Sequence, residues 1–249
     1  MEATLRHDRD DRDARTLTEA IEAVDQFFAG VFEPFEAWAP SLSAELVERL
    51  TSGPLSGPQL VSMVADRTLA ILTETERPLY GAGFCLGTDL ISDGSPLAWW
   101  QGEDRTLIAS SIFGSGHTAI SLYGLEWYRV PQTTGRRHIA GPFVDYLCSN
   151  QLNLTVSMPI TVDGRVVGIA GADVLVSEFE RALLPRFTGT HRMTLVNEHG
   201  RVVISTDPDY ETGDRLADMG AADTLDDLGA HWIVRRSADH PFAVVAPAV

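Results

Sequence analysis

Apolar residues recur at alternating four- and three-residue spacing through Leu17, Ile21, Val24, Phe28, Val31 and Phe35. That is the stripe of a helix with one buried face. Thr16 followed by Glu19 has the form of a capping box that would open this helix, and Pro34 predicts a kink or an end. The same spacing suits a coiled-coil seam, so a homodimer through the N-terminal helix is expected beside simple core packing. Further helices are expected over Ser43 to Leu50 and from about Gln59 to Glu76. From Tyr80 onward the pattern changes to short strand-like runs, near 81–86, 96–101, 106–112, 153–161, 165–174, 192–197 and 201–205. Asp163-Gly164 and His199-Gly200 each join two of these runs as hairpin turns. Helices ahead of a mainly antiparallel sheet define an α+β fold rather than a doubly wound one.

Four segments follow from this pattern. Residues 1–15 carry a mixed-charge run expected to stay solvated and disordered. Residues 16–78 form the helical segment and 79–206 the sheet. Residues 207–249 form a C-terminal extension that adds edge strands. A chain of 249 residues with 44% hydrophobic content can bury a sizeable core. No run approaches the ~18–20 apolar residues of a membrane span, and the N-terminus is charged rather than signal-like. The expectation is a cytoplasmic protein with no membrane partner.

The formal net charge of −16 argues against nucleic acid as a partner, since that calls for a basic stripe. All 19 basic residues are Arg, which excludes a P-loop lysine and a lysine Schiff base; no cofactor is expected. Cys85 and Cys148 are too few for a disulfide framework, and the seven His residues show no metal-ligand spacing. Gly81, Gly83 and Gly87 miss the dinucleotide-binding spacing by one residue, which points to close packing or a turn instead.

One acidic residue stands out. Asp173 ends the small, apolar strand Val166-Val167-Gly168-Ile169-Ala170-Gly171-Ala172, on the same face as Val167, Ile169 and Gly171. A carboxylate among buried apolar groups needs a partner, either an Arg of the protein or a bound cation. Capping of a helix near Ser177 is the plainer alternative. Asp145 and Asp173 could also act as an acid/base pair, although such pairs equally bind cations.

Residues 123–173 hold a further series: Tyr123, Trp127-Tyr128, Gly141-Pro142-Phe143-Val144-Asp145-Tyr146, and the strand Leu154-Thr155-Val156-Ser157-Met158-Pro159, leading into the hairpin that ends at Asp173. In this order the chain resembles the Cache family of sensor domains over roughly 27–206. The resemblance implies a PAS-like antiparallel sheet preceded by a long helix. It also implies a ligand pocket made of Tyr123, Trp127, Tyr128, Phe143, Asp145 and Asp173, with the two Asp around an amino group. Two positions depart from the amino-acid-binding pattern. Leu125 stands where the family has a carboxylate-binding Arg, and Phe143 stands where it has a Tyr. A carboxylate needs a bidentate Arg or several aligned donors, whereas the amine side is kept, so an amine or other small cation is favoured. Arg129, Arg136 or Arg137 could supply a carboxylate clamp from another direction. The expected function is a non-enzymatic sensor of an amine-bearing or amino-acid-like ligand that signals through an unidentified partner. The alternatives are an enzyme using Asp145 and Asp173, or an adaptor with a degenerate pocket.

Overall fold

The computed structural model describes residues 2–108, 124–145, 150–187, 192–216, 225, 228 and 231–248. Helix α1 runs unbroken over Glu2–Leu50. It absorbs the charged segment, the capping box at Thr16 and the separate helix expected at Ser43, each of which is thereby corrected. Once a helix is nucleated, adding residues costs little. Pro34 and Pro40 lie inside it without ending it. An interior proline costs about 3 kcal/mol, which is small beside the burial of Phe27, Phe28, Val31, Phe32, Phe35, Trp38, Leu42 and Leu46 on one helix. Leu17, Ile21, Val24, Phe28, Val31 and Phe35 are each at most 4% exposed within a single chain. The stripe is therefore spent on the chain's own core, which corrects the expectation of a dimer seam along it.

Strand β1 (Leu55–Ser56) pairs in parallel with β3 (Ile91–Asp93). Helix α2, Gly57–Glu74, starts at a capping box that the periodicity did not reveal. Ser56 accepts from the Gln59 backbone while the Gln59 side chain accepts from the Ser56 backbone N–H. Ser56→Ala is expected to lower stability by about 0.5–2 kcal/mol, measurable by urea denaturation, with no effect on ligand binding.

The chain divides into two compact units. One comprises residues 29–140 and 144–175; the other comprises 1–28, 141–143 and 176–249. The first holds a six-stranded sheet of β2 (Gly81–Leu86), β4 (Leu97–Gln101), β5 (Thr106–Leu107), β6 (His138–Val144), β7 (Leu152–Val162) and β8 (Arg165–Leu175), in the order β5-β4-β2-β8-β7-β6. Asp163 and Gly164 turn β7 into β8 with φ of 48° and 76°, the left-handed pair that a two-residue hairpin requires. Helix α2 packs on β2 and β4, and α3 (Glu126–Thr134) packs on β7 and β8.

The second unit holds a four-stranded antiparallel sheet, β10-β9-β12-β11, made of β9 (Thr194–Asn197), β10 (Val202–Ser205), β11 (Trp232–Arg236) and β12 (Phe242–Pro247). Here the expected boundary at 206/207 fails. The strands at 194–205 leave the main sheet and pair with residues 242–247, and β12 is a central strand rather than an edge. Phe28 of α1 anchors this unit. It stacks on Phe242 at 5.4 Å and packs beside Phe179 of α4 (Val176–Leu183) at 5.0 Å. Among the described residues, no helix is long and apolar enough to cross a membrane.

Candidate functional site

Strand register brings three residue rows together on one face of the six-stranded sheet. Across β7, β8, β2 and β4 the first row reads Thr155, Asp173, Gly81, Gln101. The second reads Ser157, Gly171, Gly83, Trp99, and the third Pro159, Ile169, Cys85, Leu97. Asp173 is 5% exposed and accepts three hydrogen bonds. Thr155 donates its hydroxyl at 2.7 Å, Trp99 its indole N–H at 2.8 Å, and Gln101 its amide at 2.7 Å. Among the described residues no Arg pairs with it. The alternative of a helix cap is also set aside, because these three bonds take the side chain and α4 begins only at Val176.

The glycines explain how Trp99 and Gln101 reach it. Both stand on β4, and β2 lies between them and Asp173, so the span crosses two strand spacings of about 4.8 Å. Gly81 and Gly83 put no side chain in the way. A Cβ at Gly83 would lie 2.2 Å from the Ala98 carbonyl oxygen and 2.8 Å from Trp99 Cε3; one at Gly81 would lie 2.4 Å from Gln101 Cγ. The close-packing reading of this glycine pair holds, with the bridge to Asp173 as its reason. The sequence signal was present in Gly81-Ala82-Gly83 and Trp99-Trp100-Gln101, but only register joins them.

Burial raises the Asp173 carboxyl above its ordinary range; the bonds from Thr155, Gln101 and Trp99 oppose that, and the charge of Asp145 adds to it. Asp145 follows β6, donating its N–H to the Gln151 carbonyl at 3.0 Å while its own carbonyl accepts from Asn150 at 2.7 Å. The two carboxylates thus reinforce a region of negative potential. Thr155→Val keeps the side-chain shape and strips Asp173 Oδ1 of its donor. We expect a loss of about 1–3 kcal/mol in stability and a further rise in the Asp173 carboxyl, followed by carboxyl-carbon NMR through a pH titration.

Helix α3 supplies the aromatic part. Tyr128 is fully buried against Cys85, Leu97, Trp99 and Ile169, with Trp127 and Leu125 packed around that cluster. Trp127 lies 5.7 Å from Trp99 and 5.9 Å from Tyr128 between ring centroids. Leu125 extends this apolar cluster at the place where the resemblance would have put an Arg. The neighbouring Glu126 pairs with His138 at 2.8 Å. Arg137 is committed elsewhere, to Glu36 at 2.9 Å and over the Phe32 ring at 4.9 Å, and Arg129 and Arg136 are exposed.

Of the expected pocket residues, Trp127, Tyr128, Asp145 and Asp173 share one unit. Phe143 is half-buried in the part of β6 that belongs to the other unit, and Tyr123 lies outside the described residues. Cys85 is a buried free thiol whose pKa is raised by desolvation, whereas Cys148 lies outside the described residues. Trp99, Gln101 and Thr155 were missed by sequence reasoning, because each looks like an ordinary strand residue until register sets it beside Asp173.

A long helix leading into antiparallel sheets gives a Cache-type fold, the one seen in chemoreceptor ligand-binding domains of known structure. The ligand-binding domain of the Pseudomonas fluorescens chemoreceptor CtaA, solved in complex with L-valine, matches at a TM-score of 0.67 and 14% identity, over 98% of this chain and 98% of that one. The ligand-binding domain of the Campylobacter jejuni chemoreceptor Tlp3, in complex with 4-methylisoleucine, matches at a TM-score of 0.64 and 10% identity, over 97% of this chain and 90% of that one. Both likenesses cover nearly the whole chain and so reach into the C-terminal part. A methyl-accepting chemotaxis protein of Pseudomonas aeruginosa, TlpQ, is 26% identical over 81 residues, which is 32% of this chain and 11% of that protein's length. No family model matches the chain.

Proposed function

We propose that the chain is a non-enzymatic sensor module that binds a small amine-bearing or cationic metabolite, with Asp173 as the anchor for its positive charge. One observation carries the reading. A carboxylate only 5% exposed is oriented by three neutral donors and, among the described residues, has no protein cation, while Asp145 adds like charge beside it. A ligand ammonium completes that arrangement with charge-assisted bonds of about 1.5–3 kcal/mol each. Aromatic faces such as that of Trp127 add roughly 0.5–2 kcal/mol of cation–π attraction. The CtaA and Tlp3 domains are solved with amino acids such as L-valine, L-serine and isoleucine, which supports a ligand of that size carrying an amine. Apolar Leu125 favours one without an α-carboxylate. The bound state passes to a separate signalling partner.

A second reading, an adaptor with a closed pocket, is favoured by the fact that Trp99, Gln101 and Thr155 already fill three of about four acceptor positions on Asp173. A thermal-shift screen with alkylamines, diamines, L-valine and acetate separates the two. A ligand at a hundredfold excess over its Kd stabilises by about 2.7 kcal/mol, roughly 5–10 °C. A shift with amines supports the sensor. A shift with acetate alone overturns the amine assignment, and silence across the set selects the adaptor.

A further inference from the structure

Ser157 Oγ, on the Asp173 face of β7, and Gln132 Oε1, on α3, are buried and have no hydrogen-bond partner among the described residues. Buried polar groups are nearly always satisfied, so an orphan calls for a physical reason. Ser157 is fully buried and stands two residues from Thr155 on β7, one row along from the pair Thr155–Asp173. Its cross-strand neighbours are Gly171 and then Gly83, which present no side chain to it. Gln132 lies one helical turn beyond Tyr128 on α3, the helix packed on β7 and β8, and positions four apart share a helix face. The row carries an orphan hydroxyl on β7 beside Gly171, with Trp99 crossing over Gly83 at its far end, and α3, which packs on β7, carries an orphan amide oxygen.

We propose that Ser157, with Gln132, is a specificity-determining contact for a second, neutral polar group of the ligand. The ligand class is then an amine bearing a hydroxyl or amide group, such as an amino alcohol or an amino amide. This rests on the reading of Asp173 as the ammonium anchor. The chemistry follows from the side chains. A serine hydroxyl both donates and accepts, and an amide oxygen accepts, so together they match a hydroxyl or an N–H. Neither brings the positive charge that would hold a carboxylate in a buried place. Spacing sets the length. Ser157 stands two residues along β7 from Thr155, the cross-strand partner of Asp173, about 6.7 Å along the strand, a separation on the order of a three- or four-carbon spacer.

The test uses the intact chain and matched probes in titration calorimetry: ethanolamine, 3-amino-1-propanol and 4-amino-1-butanol against ethylamine, propylamine and butylamine. One of the longer amino alcohols should bind about tenfold tighter than its alkylamine, the worth of one well-made hydrogen bond to a buried group. Ser157→Ala, which removes an orphan rather than a contact within the fold, should erase that preference while leaving alkylamine affinity unchanged. Equal binding of alcohol and alkylamine by the wild-type chain overturns the inference and leaves Asp173 as anchor intact. A preference that survives in Ser157→Ala also overturns it. Failure of all six probes to bind overturns this inference and the amine reading together.

Discussion

Asp173→Asn is expected to lower affinity for a cationic ligand by about 10- to 100-fold, the loss of a charge-assisted bond, without weakening the fold. The substitution can satisfy every neighbour. The Asn carbonyl oxygen can take the Trp99 and Gln101 donors, and its amide can donate to the Thr155 hydroxyl, which also accepts. Stability should move the other way at neutral pH. Burial raises the native carboxyl above its ordinary value of 3.8, so the folded state keeps its proton to a higher pH than the unfolded state does. The contribution of this group to stability is therefore greatest below 3.8 and falls as pH rises toward the native value. Asn has no proton to lose. The variant should match wild type near pH 4 and become the more stable of the two by pH 7, as read from urea midpoints across that range. A variant destabilised at pH 7 as much as it is impaired in binding would make Asp173 a structural residue. Ligand binding runs oppositely in the wild-type chain, since a cation favours the ionised carboxylate. Amine affinity should fall as pH drops through the native value.

Gly83→Ala has the second large effect, and it acts on both fold and site. The added methyl would lie 2.2 Å from the Ala98 carbonyl oxygen and 2.7 Å from Trp99 Cα, so β2 and β4 must separate. Overpacking of this kind costs about 1–3 kcal/mol, roughly 2–12 °C in Tm for a chain of this size. Trp99 would also lose its path over β2 to Asp173, so its fluorescence and any amine binding should change together with the Tm. Gly124→Ala is the control: no described residue lies within 4 Å of a Cβ there, and its Tm should stay within about 1 °C of wild type. A Gly83→Ala chain that melts like wild type and keeps its Trp99 signal would refute the role given to the glycine row.

How far the sequence could be followed differs between elements. Strand β8 was legible because period two and a run of small residues leave little else for 165–175 to be, and Asp173 was legible because a carboxylate there needs a reason. The hairpin at Asp163-Gly164 was legible because its two positive φ angles demand that residue pair. The charged start of α1 was misread, since local composition resembles a solvated tail and only continuity with the buried stripe from Leu17 makes it helical. Strands 194–205 were placed in the wrong sheet because hydrophobic alternation shows that a segment pairs, not with which partner.

By itself, then, the sequence determined the α+β class, most strand positions, the absence of lysine chemistry and the one carboxylate that calls for explanation. Periodicity and charge are local properties, and each of these conclusions needs nothing more. Tertiary structure alone decided that Asp173 meets Thr155, Trp99 and Gln101 rather than an Arg, and that the N-terminal stripe is buried within its own chain. It also decided that residues 242–247 form a central strand of a second sheet. Those outcomes turn on register and packing between segments far apart in the chain, as Trp99 and Asp173 are, or Phe28 and Phe242. No local pattern encodes such a pairing, because the free energy that selects it comes from contacts made only when the chain is folded.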